Sequence, residues 1–406
     1  MNTMEKIFRL SDNALGMQAS EIRELMKLSS KPGIIAFGGG SPDGLRFPFA
    51  EVAEIEKEWN DAKKRAAFQY GATNGYPPLL DHLKKRMISN GIDMNDQSII
   101  TTTGAQQGIY LMAKAMINPG DTIIVESPTF IGALASFKSL RAVFEWAPLE
   151  PDGISIDATK AILQRLKKEG RLPKFIYTIP NFQNPSGITM SQLKRKTLLD
   201  LAIEYGVPIL EDDPYGELYF EGTATDYKPI KSLPGANNFV VYLNTFSKIL
   251  SPGMRLGWTT GPSTLIGQLE IAKQSIDACT SSFTQVIASD YLEKGYVNGY
   301  VDKMREVYRS KCAMMMLSLE KFMPKGVSWS KPTGGFFVWL TLPTGVSSRA
   351  LFNAALSRNV AFVTGTPFTE EGKGDGYARL AFSNCSLEDI EKGVKLLSEA
   401  LKEVAA

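Results

Sequence analysis

Lys248 lies in the stretch Asn244-Thr245-Phe246-Ser247-Lys248-Ile249-Leu250-Ser251-Pro252-Gly253-Met254-Arg255-Leu256-Gly257-Trp258. The apolar run Phe239-Val240-Val241-Tyr242-Leu243 before it reads as a short buried strand. The lysine therefore falls at a strand's end, ahead of Ser-Pro-Gly turn chemistry and an arginine. A lysine is seldom placed at the edge of a core unless it is paired or reactive. An amine so placed can form a Schiff base with a carbonyl, with Ser247 and Arg255 positioned for a phosphate. The alternative is a surface lysine after an edge strand.

Four further stretches carry chemistry of a compatible kind. Thr101-Thr102-Thr103-Gly104-Ala105-Gln106-Gln107-Gly108 reads as a strand-turn-helix junction. The first amides of such a helix have no internal acceptor and form a ready anion site, although many strand-helix turns contain glycine. Pro180-Asn181-Phe182-Gln183-Asn184-Pro185-Ser186-Gly187 is either a tight loop, which these residue types favour, or a source of amide donors at a strand's end. Ile209-Leu210-Glu211-Asp212-Asp213-Pro214-Tyr215 runs from apolar residues into carboxylates that are costly to bury unpaired. Arg379, in Gly376-Tyr377-Ala378-Arg379-Leu380-Ala381-Phe382-Ser383, is an ordinary strand-edge arginine or a carboxylate clamp.

The elements that must hold these residues alternate. Strands are expected over 98–102, 122–126, 174–179 and 207–211, and helices over 106–117, 130–140 and 191–205. That alternation predicts an α/β fold whose central, mostly parallel sheet is covered by helices on both faces. Ligands then bind beyond the carboxyl ends of the strands, where Gly104, Asn181 to Gly187, Asp212 and Lys248 fall. The last third changes character. A long helix is expected over 295–322, strands over 336–342, 360–363 and 379–382, and a closing amphipathic helix over 387–404. This part predicts a smaller α+β domain.

The chain has 406 residues, 44% apolar and 22% charged, with a net charge of +2. That balance gives no push toward nucleic acid or acidic membranes. No apolar run approaches the length of a membrane span, and the N-terminal ten residues lack a signal-peptide core. Cys279, Cys312 and Cys385 are scattered without metal-ligand spacing, so reduced thiols and a cytoplasmic location are expected. The one histidine, His82, makes a Ser-His-Asp triad or a histidine zinc site a poor reading. Acid-base work falls instead to lysine, tyrosine or carboxylate.

Together these stretches resemble the class I/II aminotransferases, the fold-type I enzymes dependent on pyridoxal 5'-phosphate, and the resemblance runs from about Ser20 to the C-terminus. It implies a large cofactor-binding domain over 50–295 and a small domain built from 1–49 and 296–406. Lys248 would carry the cofactor as a Schiff base and later shuttle a proton. Gly104, Ala105 and Gln106, with Thr245, Ser247 and Arg255, would hold its phosphate end. Asp212 would face the pyridine nitrogen and keep it protonated, sustaining the electron sink. Tyr215 would bond the ring oxygen and lower the Schiff-base pKa, leaving Glu211 and Asp213 as local structure or solvent contacts. Asn184 would donate to the ring hydroxyl and help hold the substrate carboxylate. Phe130 would stack on the ring, or else pack at a helix start. Arg379 would clamp the α-carboxylate, with the Gly40 backbone close by. Tyr70 would reach the phosphate of a neighbouring subunit, implying a homodimer with shared active sites.

The pattern is nearest to the α-aminoadipate and kynurenine aminotransferase subgroup. There an arginine placed like Arg23, on a short helix, contacts the substrate side chain; the alternative is a solvated helical charge. Ala105 stands where relatives carry serine, Thr245 where serine is common, and Ser41 where leucine often follows the glycines. The expected reaction moves an amino group from 2-aminoadipate, an aromatic or a bulky aliphatic amino acid to 2-oxoglutarate, in ping-pong fashion. A lyase or decarboxylase on the same fold is the alternative. An effector-sensing regulator is disfavoured, because the pattern begins near Ser20 and leaves no room for a winged-helix domain.

Overall fold

The computed structural model describes residues 9–11 and 33–405. Arg23 lies outside the described residues. After a two-residue strand, β1 (Ile35–Ala36), come the strands of the large sheet: β2 (Gln97–Thr102), β3 (Thr122–Ser127), β4 (Val143–Glu150), β5 (Gly153–Ile154), β6 (Ile176–Thr178), β7 (Ile209–Asp212), β8 (Val240–Thr245) and β9 (Gly257–Pro262). Their spatial order is β2-β9-β8-β7-β6-β3-β4-β5. The run β8-β7-β6-β3-β4 is parallel throughout, whereas β9 is antiparallel to both its neighbours and β5 to β4. Reversed twice across β9, β2 points the same way as β8, so its carboxyl end reaches the same edge of the sheet.

Strand side chains alternate between two apolar layers. Ile124, Ile176, Ile209 and Val240 face Leu163 of the helix Ile156–Lys168 and Leu198 of the helix Gln192–Tyr205. Ile123, Val125, Tyr177, Leu210 and Leu243 face Ile109 and Met112 of the helix Ala105–Met116 and Phe137 of the helix Ile131–Ser139. Both faces are covered, and the middle strands accordingly read as continuous apolar runs rather than as alternating ones.

The remaining strands are β10 (Ser328–Trp329), β11 (Phe337–Thr341), β12 (Val360–Ala361), β13 (Val363–Thr364) and β14 (Tyr377–Ala381). Four of them form an antiparallel sheet in the order β10-β11-β14-β13. The single strand expected over 360–363 is divided at Phe362. Its first half pairs in parallel with β1 and its second half with β14, because each half meets a different partner. The helix Tyr296–Phe322 and the helix Leu387–Val404 place Met315, Leu319, Val394 and Leu397 in the core beside this sheet. No helix of the described residues is long and apolar enough to cross a membrane.

Candidate active site

The carboxyl ends of β2, β6, β7 and β8 open on a cavity of about 320 Å³, closed on its other side by Gly38, Gly40, Ser41 and Arg379. At one end stands the N-terminus of the helix Ala105–Met116. Its N-cap, Gly104, has φ 72° and offers no side-chain cap, so the first amides stay free for an anion. A Cβ on Gly104 would lie 2.6 Å from the Arg255 guanidinium, so glycine is what lets that side chain approach the turn. Ala105 and Gln106 line the cavity, but the Gln106 amide group is engaged elsewhere, donating to the Gly132 carbonyl and the Ser136 hydroxyl, both at 2.7 Å. The Thr245 hydroxyl donates to Ser247 Oγ at 2.9 Å and accepts from the Ser247 amide at 3.1 Å, which orients both hydroxyls. With Arg255 they complete a dianion-sized cluster of donors.

Lys248 sits three residues beyond the end of β8. Its Nζ donates to the Gly40 carbonyl at 2.9 Å and lies over the rings of Tyr215 and Phe336, 5.6 and 5.3 Å from their centroids. Burial, and then the nearby cations Arg379 and Arg255, bring its pKa down to about 8. A far larger fraction of this amine than of an ordinary lysine is therefore neutral, and nucleophilic, near physiological pH, although the cation still predominates.

Asp212 closes β7 and is buried. Its Oδ2 accepts from the Tyr177 hydroxyl at 2.8 Å, while its Oδ1 is buried with no partner. Burial raises the Asp212 pKa to about 6, with the Tyr177 hydrogen bond opposing. A cationic donor at Oδ1 would remove the cost of that desolvation.

Opposite, Arg379 is 4% exposed and projects from β14. Its Nη1 donates to Asn184 Oδ1 at 2.8 Å and its Nη2 to the Gly38 carbonyl at 2.6 Å, while Nε has no partner. Phe337 and Phe368 flank the guanidinium, at 4.6 and 5.1 Å. Burial lowers its pKa to about 10, and no carboxylate among the described residues compensates. Tyr215 hydrogen-bonds Asn184, and burial pushes its phenol well above the ordinary value. Gly40 packs so tightly on Phe337 that a Cβ would lie 2.6 Å from the ring. Phe130, Ile109, Ile131, Ile179 and Pro214 supply the apolar lining.

Of the residues singled out in the sequence, Gly104 lies just behind the lining and Tyr70 lies outside the cavity, 86% exposed on the surface. Glu211 and Asp213 were expected as local structure or solvent contacts, but solvent does not reach them. Both faces of β7 are covered, so Glu211 is enclosed within the strand and Asp213 just beyond its end. Glu211 accepts from the amides of Ile230 and Lys231, and Asp213 from Asn181 and Tyr242.

Several supporting residues carried no sequence signal. Tyr177 holds Asp212. Glu126, its pKa raised to about 7 by burial, accepts from the Gln183 amide group at 3.0 Å, and Gln183 in turn accepts from the Ser186 amide at 2.9 Å. Together they hold the loop that presents Asn184. Asp277 accepts from Gln107 at 2.7 Å and Thr103 at 3.1 Å, bracing the anion-binding turn.

A nucleophilic amine, a buried carboxylate with one free oxygen and anion sites at two ends thus share one apolar cavity. This set fits a phosphorylated aldehyde bearing a basic ring nitrogen, together with a carboxylate substrate. The family described as Aminotransferase class I and II matches residues 32–397, and the chain belongs to it. The cofactor of that family is pyridoxal 5'-phosphate, and its substrates are amino and oxo acids. The chain is 44% identical to aromatic-amino-acid aminotransferase 1 of Thermococcus litoralis, over 98% of its own length and 95% of that protein. It is 36% identical to 2-aminoadipate transaminase of Thermus thermophilus, over 96% of each. Among solved structures, the kynurenine aminotransferase of Pyrococcus horikoshii, in complex with PMP, KYN and KYA, superposes with a TM-score of 0.95 at 40% identity. That match covers 99% of this chain and 98% of the other.

Proposed function

We propose that this aminotransferase moves the amino group of an aromatic, bulky aliphatic or 2-aminoadipate-type L-amino acid to 2-oxoglutarate by a ping-pong mechanism. The observation that carries the reading is Arg379: a buried guanidinium without a carboxylate partner, in one cavity with Lys248 and the free oxygen of Asp212. Pyridoxal phosphate, when bound, supplies the carbonyl that takes up the amine and the electron sink that stabilises charge at the substrate Cα. Ala105, Gln106, Thr245, Ser247 and Arg255 would hold the phosphate. Phe130 would pack on the ring, and the free oxygen of Asp212 would take the ring nitrogen. Asn184 and Tyr215 would take the ring oxygen. Arg379, with Asn184 and the backbone at Gly40, orients the α-carboxylate, and Lys248 Nζ takes the proton from the substrate Cα.

The apolar lining supports aromatic and aliphatic donors, and the names of the relatives are consistent with that range. Among the described residues lining the cavity, the cations are Lys248, Arg255 and Arg379, which leaves Arg23 as the candidate partner for a distal carboxylate. The exposed Tyr70 is available to complete the phosphate site of a second copy, so we infer a homodimer with shared sites. On this reading residues 50–295 form the cofactor-binding domain, 1–49 with 296–406 the small domain, and the protein works in the cytoplasm.

The test is a half-reaction. Incubating the holoenzyme with phenylalanine and no acceptor should release one oxo acid per site. Adding 2-oxoglutarate should then restore the original absorbance and yield glutamate. Carbon dioxide or an elimination product in place of the oxo acid would reject the reading.

A further inference from the structure

The cavity wall made by Gly38, Gly40 and Ser41 belongs to neither of the two larger sheets. It is instead tied down step by step. The Phe37 carbonyl accepts from the Ala381 amide at 2.8 Å. The Gly38 carbonyl accepts from Arg379 at 2.6 Å and the Gly40 carbonyl from Lys248 at 2.9 Å. The Ser41 carbonyl accepts from the Ser383 hydroxyl at 2.6 Å. The segment then ends on Asp43. Its carboxylate takes Lys311 Nζ at 2.8 Å, and its amide donates to the Tyr308 hydroxyl at 3.2 Å. Lys311 also donates to the Ser383 carbonyl at 2.8 Å. Asp43, Lys311, Tyr308 and Ser383 are all buried. Among the described residues Arg46, 4.0 Å from Asp43 and half exposed, is the other cation near it.

Three consecutive glycines, Gly38 to Gly40, have much conformational freedom to lose and no side chains with which to hold themselves. Two of the anchors of this segment, Arg379 and Lys248, are groups that must let go when substrate and cofactor take them. What remains is the Phe37–Ala381 backbone bond at the near end and, at the far end, the Ser383 and Tyr308 hydroxyls and the Asp43–Lys311 pair. A buried ion pair of this kind fixes one geometry, and removing one member leaves an uncompensated charge.

We propose that Lys311 and Asp43 are positioning residues for the substrate. Their ion pair fixes the far end of the Gly38–Ser41 wall, and through it the surface against which the carboxylate end of an amino or oxo acid lies. Neither residue lines the cavity, and the anion-binding turn, Asp212 and the β8 end stand on the large sheet, apart from the pair. The inference rests on the reading of Arg379 as the α-carboxylate site.

The test compares the holoenzyme with Lys311→Met, Asp43→Asn and Lys311→Arg. KM and kcat are measured for phenylalanine and for 2-oxoglutarate, and the visible absorbance of the bound cofactor is recorded alongside. The expected result for Lys311→Met and Asp43→Asn is KM raised about tenfold for donor and acceptor alike, with kcat changed less than about threefold and the absorbance unaltered. Lys311→Arg, which keeps the charge, should recover most of the loss. A merely structural pair would lower the active fraction, and so kcat, at unchanged KM; that outcome overturns the proposal. Should Lys311→Met not fold, Asp43→Asn keeps the shape and an acceptor for Lys311, and decides the matter by itself. Arg379→Lys is run in parallel. If it leaves KM unchanged, the carboxylate reading fails; if it raises KM and the pair variants do not, only the present proposal fails.

Discussion

The Tyr177 hydroxyl holds Asp212 by one carboxylate oxygen, at 2.8 Å, and leaves the other oxygen buried and free. The arrangement fixes the direction of the free oxygen without consuming it. Asp212→Asn should remove the ionic partner of the ring nitrogen and lower kcat by about 3 kcal/mol at the transition state, as for other lost electrostatic stabilisers. Tyr177→Phe should cost about 1 kcal/mol, the usual worth of one hydrogen bond. Asp213→Asn, beside it but facing a different network, should leave kcat nearly unchanged. Steady-state kinetics on the three variants test the order; equal losses at 212 and 213 would refute it.

Lys248 gives a pH dependence. Its pKa is brought down to about 8 by burial and by Arg379 and Arg255, and the neutral amine is the nucleophile. The rate at which cofactor-free protein takes up pyridoxal phosphate, followed by the growth of visible absorbance, should rise with pH and level off above about pH 8. Borohydride treatment should fix the cofactor at Lys248, identifiable by peptide mapping. Labelling of another lysine would displace Lys248 from the centre of the site.

Arg379 presents a fork, and its flat sides are covered by Phe337 and Phe368. Lysine in its place keeps the charge and loses the bidentate geometry. Arg379→Lys should reduce kcat/KM by about 2 kcal/mol for every amino and oxo acid, because the α-carboxylate is common to all. Arg23→Ala should instead penalise 2-aminoadipate and 2-oxoglutarate and spare leucine. An equal loss for leucine and 2-aminoadipate would reduce Arg23 to a surface charge.

Behind the site a buried polar chain joins the ends of three strands. Arg195 donates to Asn181 Oδ1 at 2.7 Å, Asn181 to Asp213 at 2.9 Å, Tyr242 to Asp213 at 3.1 Å and Asn244 to Tyr242 at 2.7 Å. Arg195→Met strands several of these groups and should cost about 3 kcal/mol of stability. Burial raises Asp213 to about 8 and Glu211 to about 7. A carboxyl whose folded pKa is raised binds its proton more tightly when folded. Its stabilising effect is full at low pH and is lost as pH climbs through those values. The Tm of the cofactor-free protein should therefore fall as pH rises from the ordinary carboxylate values of 3.8 and 4.5 and level off near pH 7 to 8, and Asp213→Asn should flatten that fall.

The sequence made the local parts of this site legible. Strand ends, turn residues and helix starts lie within a few residues of one another, so the Gly104 turn, the Asn184 loop and the Lys248 stretch could be read as units. What could not be read were partners distant along the chain: Tyr177 for Asp212, Glu126 for Gln183, and Lys311 for Asp43. One missed point was available. Ile209 and Leu210, adjacent and both apolar, already imply a strand covered on both faces, so Glu211, next along it, could not face water. The strand β4 escaped notice because Val143, Phe144, Glu145 and Trp146 are exposed or half-buried and mix polar with apolar residues. The division at Phe362 is set by which strand each half meets, and neither propensity nor periodicity carries that.

The cavity holds three cationic side chains, Lys248, Arg255 and Arg379, against the single carboxylate of Asp212 among the described lining residues. It is a site in electrostatic deficit, completed only by what enters it. Molecules that bring negative charge, a phosphate monoester or a free α-carboxylate, restore neutrality on arrival. An amino acid amide or an ester of the same shape would leave Arg379 stranded in a low-dielectric enclosure, at the cost of a buried charge without a counterion. Selection against blocked carboxyl groups is thus exercised by charge balance before shape is consulted. It should weaken as salt supplies substitute anions.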